Sequence, residues 1–312
     1  MSEHVKILLA IVIGTLLLAS LVGFVMSRVA TSTRALAILR NLRTRVRSWW
    51  VMVGVFALGI MLGGASTVVL FAVTSFLAFR EFITLNVTRR ADHRALFWAF
   101  FVVIPIQYYA VAIGWYGLFS IWIPVFAFIL IPLRITVAGD PTQFLERTSK
   151  IQWGLLVCVY FVSHVPALLM LDVEGGPAQA VSILFYFVLI VQMNDVFQYM
   201  WGTLLGRRSI LPAISPNKTW EGLIGGVVST TAVGSALYWA TPFSWPIAGA
   251  MAAGAGLLGF AGDIIMSAIK RDLGVKDYSN TIAGHGGVMD RLDSISFSAP
   301  FFFHLTRYYF TP

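Results

Sequence analysis

The stretch ILLAIVIGTLLLASLVGFVM, residues 7–26, carries no charge and matches the roughly 18 to 20 residues that an α-helix needs to cross a bilayer. Comparable apolar runs recur along the 312 residues, and the chain is 58% hydrophobic with only 12% charged residues, about half the charge of an ordinary soluble domain. Lipid gives the backbone no hydrogen-bond partners, and the alternating segments of about ten residues that a membrane barrel requires are missing, so the spans are expected to be helices. The expected fold class is all-α: a polytopic integral membrane protein with about 9–10 transmembrane helices. The spans read as 5–27, 50–64, 65–79, 95–113, 115–133, 151–171, 178–201, 221–241, 245–269 and 294–310, the second and third being short. Residues 7–26 are too long for a typical signal-peptide core and follow Glu3 as well as Lys6, so a retained first span is expected. Cys158 is the only cysteine and lies in an apolar run, which excludes an internal disulfide.

Charge gives the orientation. All but two of the 22 basic residues, Lys6 and Arg307, fall in five clusters between alternate spans, which places those loops in the cytoplasm by the positive-inside rule. The net charge of +8 is thereby an orientation signal with some attraction to anionic headgroups, and nucleic acid is not needed as a partner. The arginine-rich segment 34–48 could lie in the membrane interface, anchored by Trp49 and Trp50. GAGLLG at 254–259 has dinucleotide-motif spacing, but it sits within an apolar span with no strand before it, so it is read as a close helix-packing face. Glycine-rich spans also make a homodimer plausible.

Of the 14 acidic residues, Asp195 and Asp263 fall inside expected spans, where an ionisable side chain normally faces a polar cavity. On helical spacing, Asp263 continues through Ser267 to Lys270 and Arg271, one stripe from a buried carboxylate to two cations at the cytoplasmic mouth. Asn194, Gln198 and Tyr199 form a similar polar set around Asp195. Two polar islands follow. In the loop 205–221, LGRRSILPAISPNKTWE, cations and hydroxyls precede a helix whose first amides would attract an anion. In the loop 270–293, His285-Gly286-Gly287 permits a tight turn and Asp290-Arg291-Leu292-Asp293 sets two carboxylates around a cation. Asp263, Asp290 and Asp293 would suit a hard divalent ion such as Mg²⁺ if the loop folds back on its helix. A solvated loop laced with salt bridges is the plainer alternative.

Ser267-Ala268-Ile269-Lys270-Arg271, Lys276-Asp277 and His285 to Asp293 closely resemble the signature of the phosphatidate cytidylyltransferases, the CDP-diacylglycerol synthases. The loop Ser215 to Gly222 is similar to that family's Ser-Pro-x-Lys-Thr-x-Glu-Gly motif, and Asn194-Asp195 to its Asn-Asp pair. Ala283 departs from the usual Pro or Gly, and the whole looks like a bacterial paralogous branch. The resemblance covers residues 190–294 and divides the chain into scaffold helices, 1–173, and a catalytic region, 174–312.

What the resemblance implies is transfer of a cytidylyl group from CTP to phosphatidic acid, giving CDP-diacylglycerol and pyrophosphate, at the cytoplasmic side of a bacterial inner membrane. The attacking phosphate monoester has a second pKa of about 6, so no strong base is required, but charge neutralisation is. Asp263, Asp290 and Asp293 are then expected to hold Mg²⁺, with a second metal ion suggested by the family. Ser215, Lys218 and Thr219 would hold CTP phosphates, with Asn194, His285 and Arg291 as further contacts. Lys270 and Arg271 would stabilise pyrophosphate or the lipid phosphate, and Asp195 would orient the site from a facing helix. The competing readings are a lipid or ion transporter, a non-catalytic scaffold, and a paralog acting on a different phospholipid acceptor.

Overall fold

The computed structural model describes residues 3–29, 33–86, 88–282, 284 and 286–311, with side chains described for all of these except 29 and 33–42. Besides a short 3-10 turn at Tyr238–Ala240, the chain forms, among the described residues, ten helical segments of more than one turn. These are α1 (Glu3–Val29), α2 (Thr33–Met61), α3 (Gly64–Thr84), α4 (Arg90–Ala112), α5 (Tyr116–Thr136), α6 (Phe144–Met170), α7 (Gly176–Leu205), α8 (Trp220–Ala236), α9 (Trp245–Asp272) and α10 (Met289–Phe310). A short antiparallel hairpin, β1 (Ser209–Leu211) and β2 (Ser215–Thr219), stands between α7 and α8. The protein is an all-α, multi-pass membrane protein, as the apolar runs require: seven of these helices, α1, α3 to α7 and α9, are long and apolar enough to cross a bilayer.

The remaining three depart from simple spans for visible reasons. Helix α8 has only 17 residues, α2 carries the arginines of 34–47 in its first half, and α10 opens on Asp290, Arg291 and Asp293. The expected interface helix at 34–48 and the expected short span at 50–64 are one continuous helix, which ends where Gly63 turns the chain at φ 107°. The expected span 65–79 likewise runs on to Thr84, and the loop 205–221 contains a hairpin that helical periodicity does not foreshadow. Burial also differs along the bundle. Only 11% of the apolar window of α1 is covered by protein, so lipid must solvate it, whereas 67% of that of α6 is covered.

Prolines inside α5 expose carbonyls that lipid cannot satisfy. Pro124 has no N–H for the Ser120 carbonyl, which instead accepts the Tyr160 hydroxyl of α6 at 3.0 Å. Pro132 frees the Phe128 carbonyl, and Gln152 Nε2 donates to it at 2.8 Å. Both bonds tie α5 to α6, and both helices include a π-helical stretch, Trp122–Ala127 and Leu156–Phe161.

Helices α7, α8, α9 and α10 pack through small residues and internal polar bonds. The Tyr186 hydroxyl of α7 donates to the Ala248 carbonyl of α9 at 2.8 Å. Asn194 Nδ2 donates to the Gly256 carbonyl at 3.1 Å and its Oδ1 accepts from Thr230 Oγ1 at 3.3 Å, joining three helices at one fully buried amide. The GAGLLG stretch is a packing face: Gly254 lies against Phe301, Gly256 against Asn194 and Gly259 against Ser294. Further along, a Cβ on Gly262 would stand 2.6 Å from the Asp293 carbonyl oxygen and 2.8 Å from Phe297 Cβ. Gly262→Ala should therefore force α9 and α10 apart and destabilise the protein by roughly 1–3 kcal/mol. A fall in the thermal midpoint in detergent checks this, and an unchanged midpoint would refute the tight approach.

Candidate active site

The close approach of α9 to α10 sets the carboxylates. Asp263 and Ser267 are one turn apart on α9, and Ser267 Oγ donates to Asp263 Oδ1 at 3.3 Å. From α7, Asp195 Oδ1 accepts the Ser294 hydroxyl of α10 at 3.1 Å. Asp293 follows on α10, its Oδ1 accepting the Ser294 backbone N–H at 2.9 Å. Asp195, Asp263 and Asp293 thus line one cavity of about 190 Å³, with Lys270, Asp290 and Arg291 at its wall. Arg291 Nε is buried there without a hydrogen-bond partner.

The hairpin brings the compensating charge. Lys218 of β2 reaches over the Phe260 ring at 5.7 Å and forms an ion pair with Asp263. Burial would lower the pKa of this ammonium, but the carboxylates of Asp263 and Asp195 outweigh burial and hold it above the ordinary lysine value. It therefore stays cationic at neutral pH. Next to it, Thr219 caps α8, its Oγ1 accepting the Gly222 N–H at 3.1 Å, which leaves the hydroxyl proton free to donate. Glu221 fixes the turn before β1 by accepting the N–H groups of Arg207 and Arg208 at 3.1 and 3.3 Å.

Lys218 and Thr219 belong to a second, larger cavity of about 600 Å³, whose lining includes Arg207, Asn217, Gln198 and Tyr199. Asp195 borders both cavities, so the acidic one and the basic one meet at α7. The polar face around Asp195 thus does line a cavity. Gln198 is almost fully buried there, and neither atom of its amide has a hydrogen-bond partner.

Several expected residues stand elsewhere or act differently. Asp290 is expected beside Asp263 and Asp293 as a metal ligand, but its oxygens are already engaged. Oδ1 accepts Lys270 Nζ at 2.8 Å, and Oδ2 accepts the N–H groups of Tyr278 and Gly287 at 2.8 and 2.9 Å. Asp290 closes the loop, and Lys270 is its ion-pair partner rather than an unpaired phosphate clamp. Arg271 lines neither cavity and donates from Nε to the Ile214 carbonyl and from a terminal nitrogen to the Val275 carbonyl, each at 3.1 Å. Asn194 is the internal helix lock described above, because only its neighbour Asp195 falls on the cavity side. Ser215 opens β2 opposite Leu211 and lines neither cavity. His285 and Ala283 lie outside the described residues. Sequence reasoning misses Glu81, Gln192 and the unpartnered state of Gln198. The continuation of α3 past residue 79 is the one available hint for Glu81, since it turns a loop acid into a helix acid.

Among the described residues no three His, Cys, Asp or Glu side chains converge as a complete ligand set. The donor chemistry nonetheless fits a hard cation. Five carboxylates line the small cavity, Asp263 and Asp290 of them paired to lysines, and Mg²⁺ is commonly bound by one or two carboxylates completed by substrate phosphates.

The cytidylyltransferase family profile matches residues 43–309. The chain is 40% identical over 268 residues, 85% of its own length and 87% of the relative's, to the uncharacterized protein YnbB of Escherichia coli (strain K12). It is 37% identical over 145 residues to the phosphatidate cytidylyltransferase of Aquifex aeolicus (strain VF5), covering 46% of this chain and 54% of that one. With the phosphatidate cytidylyltransferase of Mycobacterium leprae (strain TN) it shares 34% over 175 residues, 53% and 52% of the two chains. The chain thus spans about half the length of these two named relatives. The extent of the family match and the identity to relatives make this chain a member of the cytidylyltransferase family.

Proposed function

We propose that this protein transfers the cytidylyl group of CTP to phosphatidic acid, releasing pyrophosphate and forming CDP-diacylglycerol. The observation that carries this reading is the junction of the acidic and basic cavities at Asp195, with Lys218 set against Asp263 between them. Such a transfer brings two anions together, so it needs positive charge and orientation more than a base. An oxygen of the lipid phosphate attacks the α-phosphorus of CTP, the bond from that phosphorus to the bridging oxygen breaks, and pyrophosphate leaves with the electron pair. In this reading Lys218 and the Thr219 hydroxyl bind nucleotide phosphates. Arg207 widens the cationic rim of the larger cavity, and Asp195 with Ser294 holds the far wall in place. A divalent cation such as Mg²⁺ would be held by Asp263 and Asp293 and would supply charge neutralisation to the phosphates. Arg291, with its buried unpartnered Nε, is a further phosphate contact of the small cavity.

The basic clusters at alternate helix ends support a site facing the cytoplasm of a bacterial inner membrane, where CTP is at hand. A second reading keeps the reaction and changes the acceptor to another phospholipid carrying a phosphate monoester. It is favoured by the much longer match to the uncharacterized relative than to the phosphatidate enzymes.

Pyrophosphate release from CTP and phosphatidic acid by the purified protein in detergent tests the proposal. Asp263→Asn should lower kcat by about 10²-fold or more without loss of fold, and parent-like turnover in that variant would remove the buried carboxylate from the mechanism. Lys218→Met should lower kcat by roughly 10²–10³-fold; an effect confined to the KM of the lipid would reassign the lysine to acceptor binding. Chelation by EDTA should abolish the activity and added Mg²⁺ restore it, whereas full activity in chelator would exclude the cation from this reading. Turnover with another phosphomonoester lipid but none with phosphatidic acid would select the second reading.

A further inference from the structure

We propose that Glu81, on α3 in the N-terminal half of the chain, is a positioning residue that fixes the loop at Ser279 and Thr281 and the first turn of α10 for the transfer. The inference rests on the reaction proposed above only for its kinetic arm. Glu81 is 8% exposed, and both of its carboxylate oxygens are used by residues about two hundred positions away in sequence. Oε1 accepts the hydroxyls of Ser279 at 2.6 Å and Thr281 at 2.9 Å. Oε2 accepts the backbone N–H of Met289 at 3.0 Å. Met289 is the first residue of α10, and the helix has no side-chain cap of its own at Val288. One of its otherwise orphaned N–H groups is therefore satisfied from a different helix by a carboxylate, the charge that a helix N-terminus favours.

The loop is gripped from two sides. Asp290 accepts Tyr278 N–H and Gly287 N–H from inside, while Glu81 holds Ser279, Thr281 and Met289 from outside. Gly287 passes between the two acids, and a Cβ there would stand 2.4 Å from Glu81 Oε2, so a larger residue would have to displace that carboxylate. Gly286, at φ 80°, makes the turn that closes the loop, with Ile282 N–H donating to its carbonyl at 2.8 Å. Phe82, the next residue of α3, lies 6.2 Å from the Tyr278 ring, over which Lys270 Nζ sits at 5.5 Å. Every one of these contacts bears on the place where α10 starts. That place sets the direction in which Asp290, Arg291 and Asp293 project, because the three share the first two turns of the helix. Helix α3 therefore does more than scaffold: it supplies the outer jaw of the clamp.

The test uses the full chain purified in detergent. Glu81→Ala should lower kcat for CTP-dependent pyrophosphate release by about 10²-fold, the scale of a small misplacement of reacting groups, with the KM for CTP close to the parent's. Glu81→Gln keeps an acceptor for the loop and should recover most of that loss. Hydrogen exchange should speed up at the amides of 278–289 in Glu81→Ala and stay unchanged in α5 and α6. Ser279→Ala/Thr281→Ala removes two of the three bonds from the loop side and should give an intermediate loss of kcat; it carries the kinetic test if Glu81→Ala does not fold. Parent-like kcat in the alanine variants, or exchange that rises equally throughout the chain, overturns the proposal. A parent protein that releases no pyrophosphate from CTP defeats the reaction proposed above, and exchange in the loop then decides the role of Glu81 on its own.

Discussion

A carboxylate enclosed by packed helices is costly unless a cation, a hydrogen-bond donor or a polar cavity compensates it. Asp195, Asp263 and Asp293 meet that condition by different routes: a serine hydroxyl from a facing helix, a lysine from the hairpin, and a backbone N–H with an arginine beside it. The carboxylates stand on α7, α9 and α10 and their partners come from α10 and the hairpin, so they can be neighbours only if these four elements are held together. The glycine faces of α9 and the buried amide of Asn194 provide that holding. Packing in the apolar part of the bundle and charge at its mouth are therefore one problem, solved by the same four elements.

The loop after α9 follows the same rule of compensation. Its charged residues are engaged largely with one another and with the backbone: Lys270 with Asp290, Asp290 with two loop amides, and Arg271 with two carbonyls. Lys270, Asp277, Asp290, Arg291 and Asp293 nonetheless all line the small cavity. Function is concentrated in the residues whose partners are incomplete.

Much of this is legible in the sequence. Apolar runs of bilayer length require all-α spans, and the buried positions of Asp195 and Asp263 mark a polar cavity, because a carboxylate at that depth is costly without polar surroundings. The roles of Asp290, Arg271, Asn194 and Ser215 are not legible, since helical spacing gives the face of a residue but not what covers it. Asn194 and Asp195 are adjacent, yet about 100° of helical rotation separates a packing lock from a cavity wall. Asp290 and Asp293 are both in the first turns of α10, yet only the former meets the N–H groups of the loop that folds over it. The hairpin is hidden because its strands are too short for an alternating pattern, and the span boundaries because α2 carries arginines for half its length.

Helix α10 links two surfaces that lie far apart. It begins at the carboxylates and ends where Arg307 stacks on the Tyr116 ring at 3.5 Å, at the opposite end of α5 from the arginine-bearing turn. Its 22 residues measure about 33 Å at 1.5 Å per residue, close to the roughly 30 Å of a hydrocarbon core. That helix, interrupted by Pro300, ties the carboxylates at its start to the first turn of α5 at its end. The carboxylates are thus tied through one helix to the far end of the bundle, and a bilayer thickness that shifts that end would shift them as well.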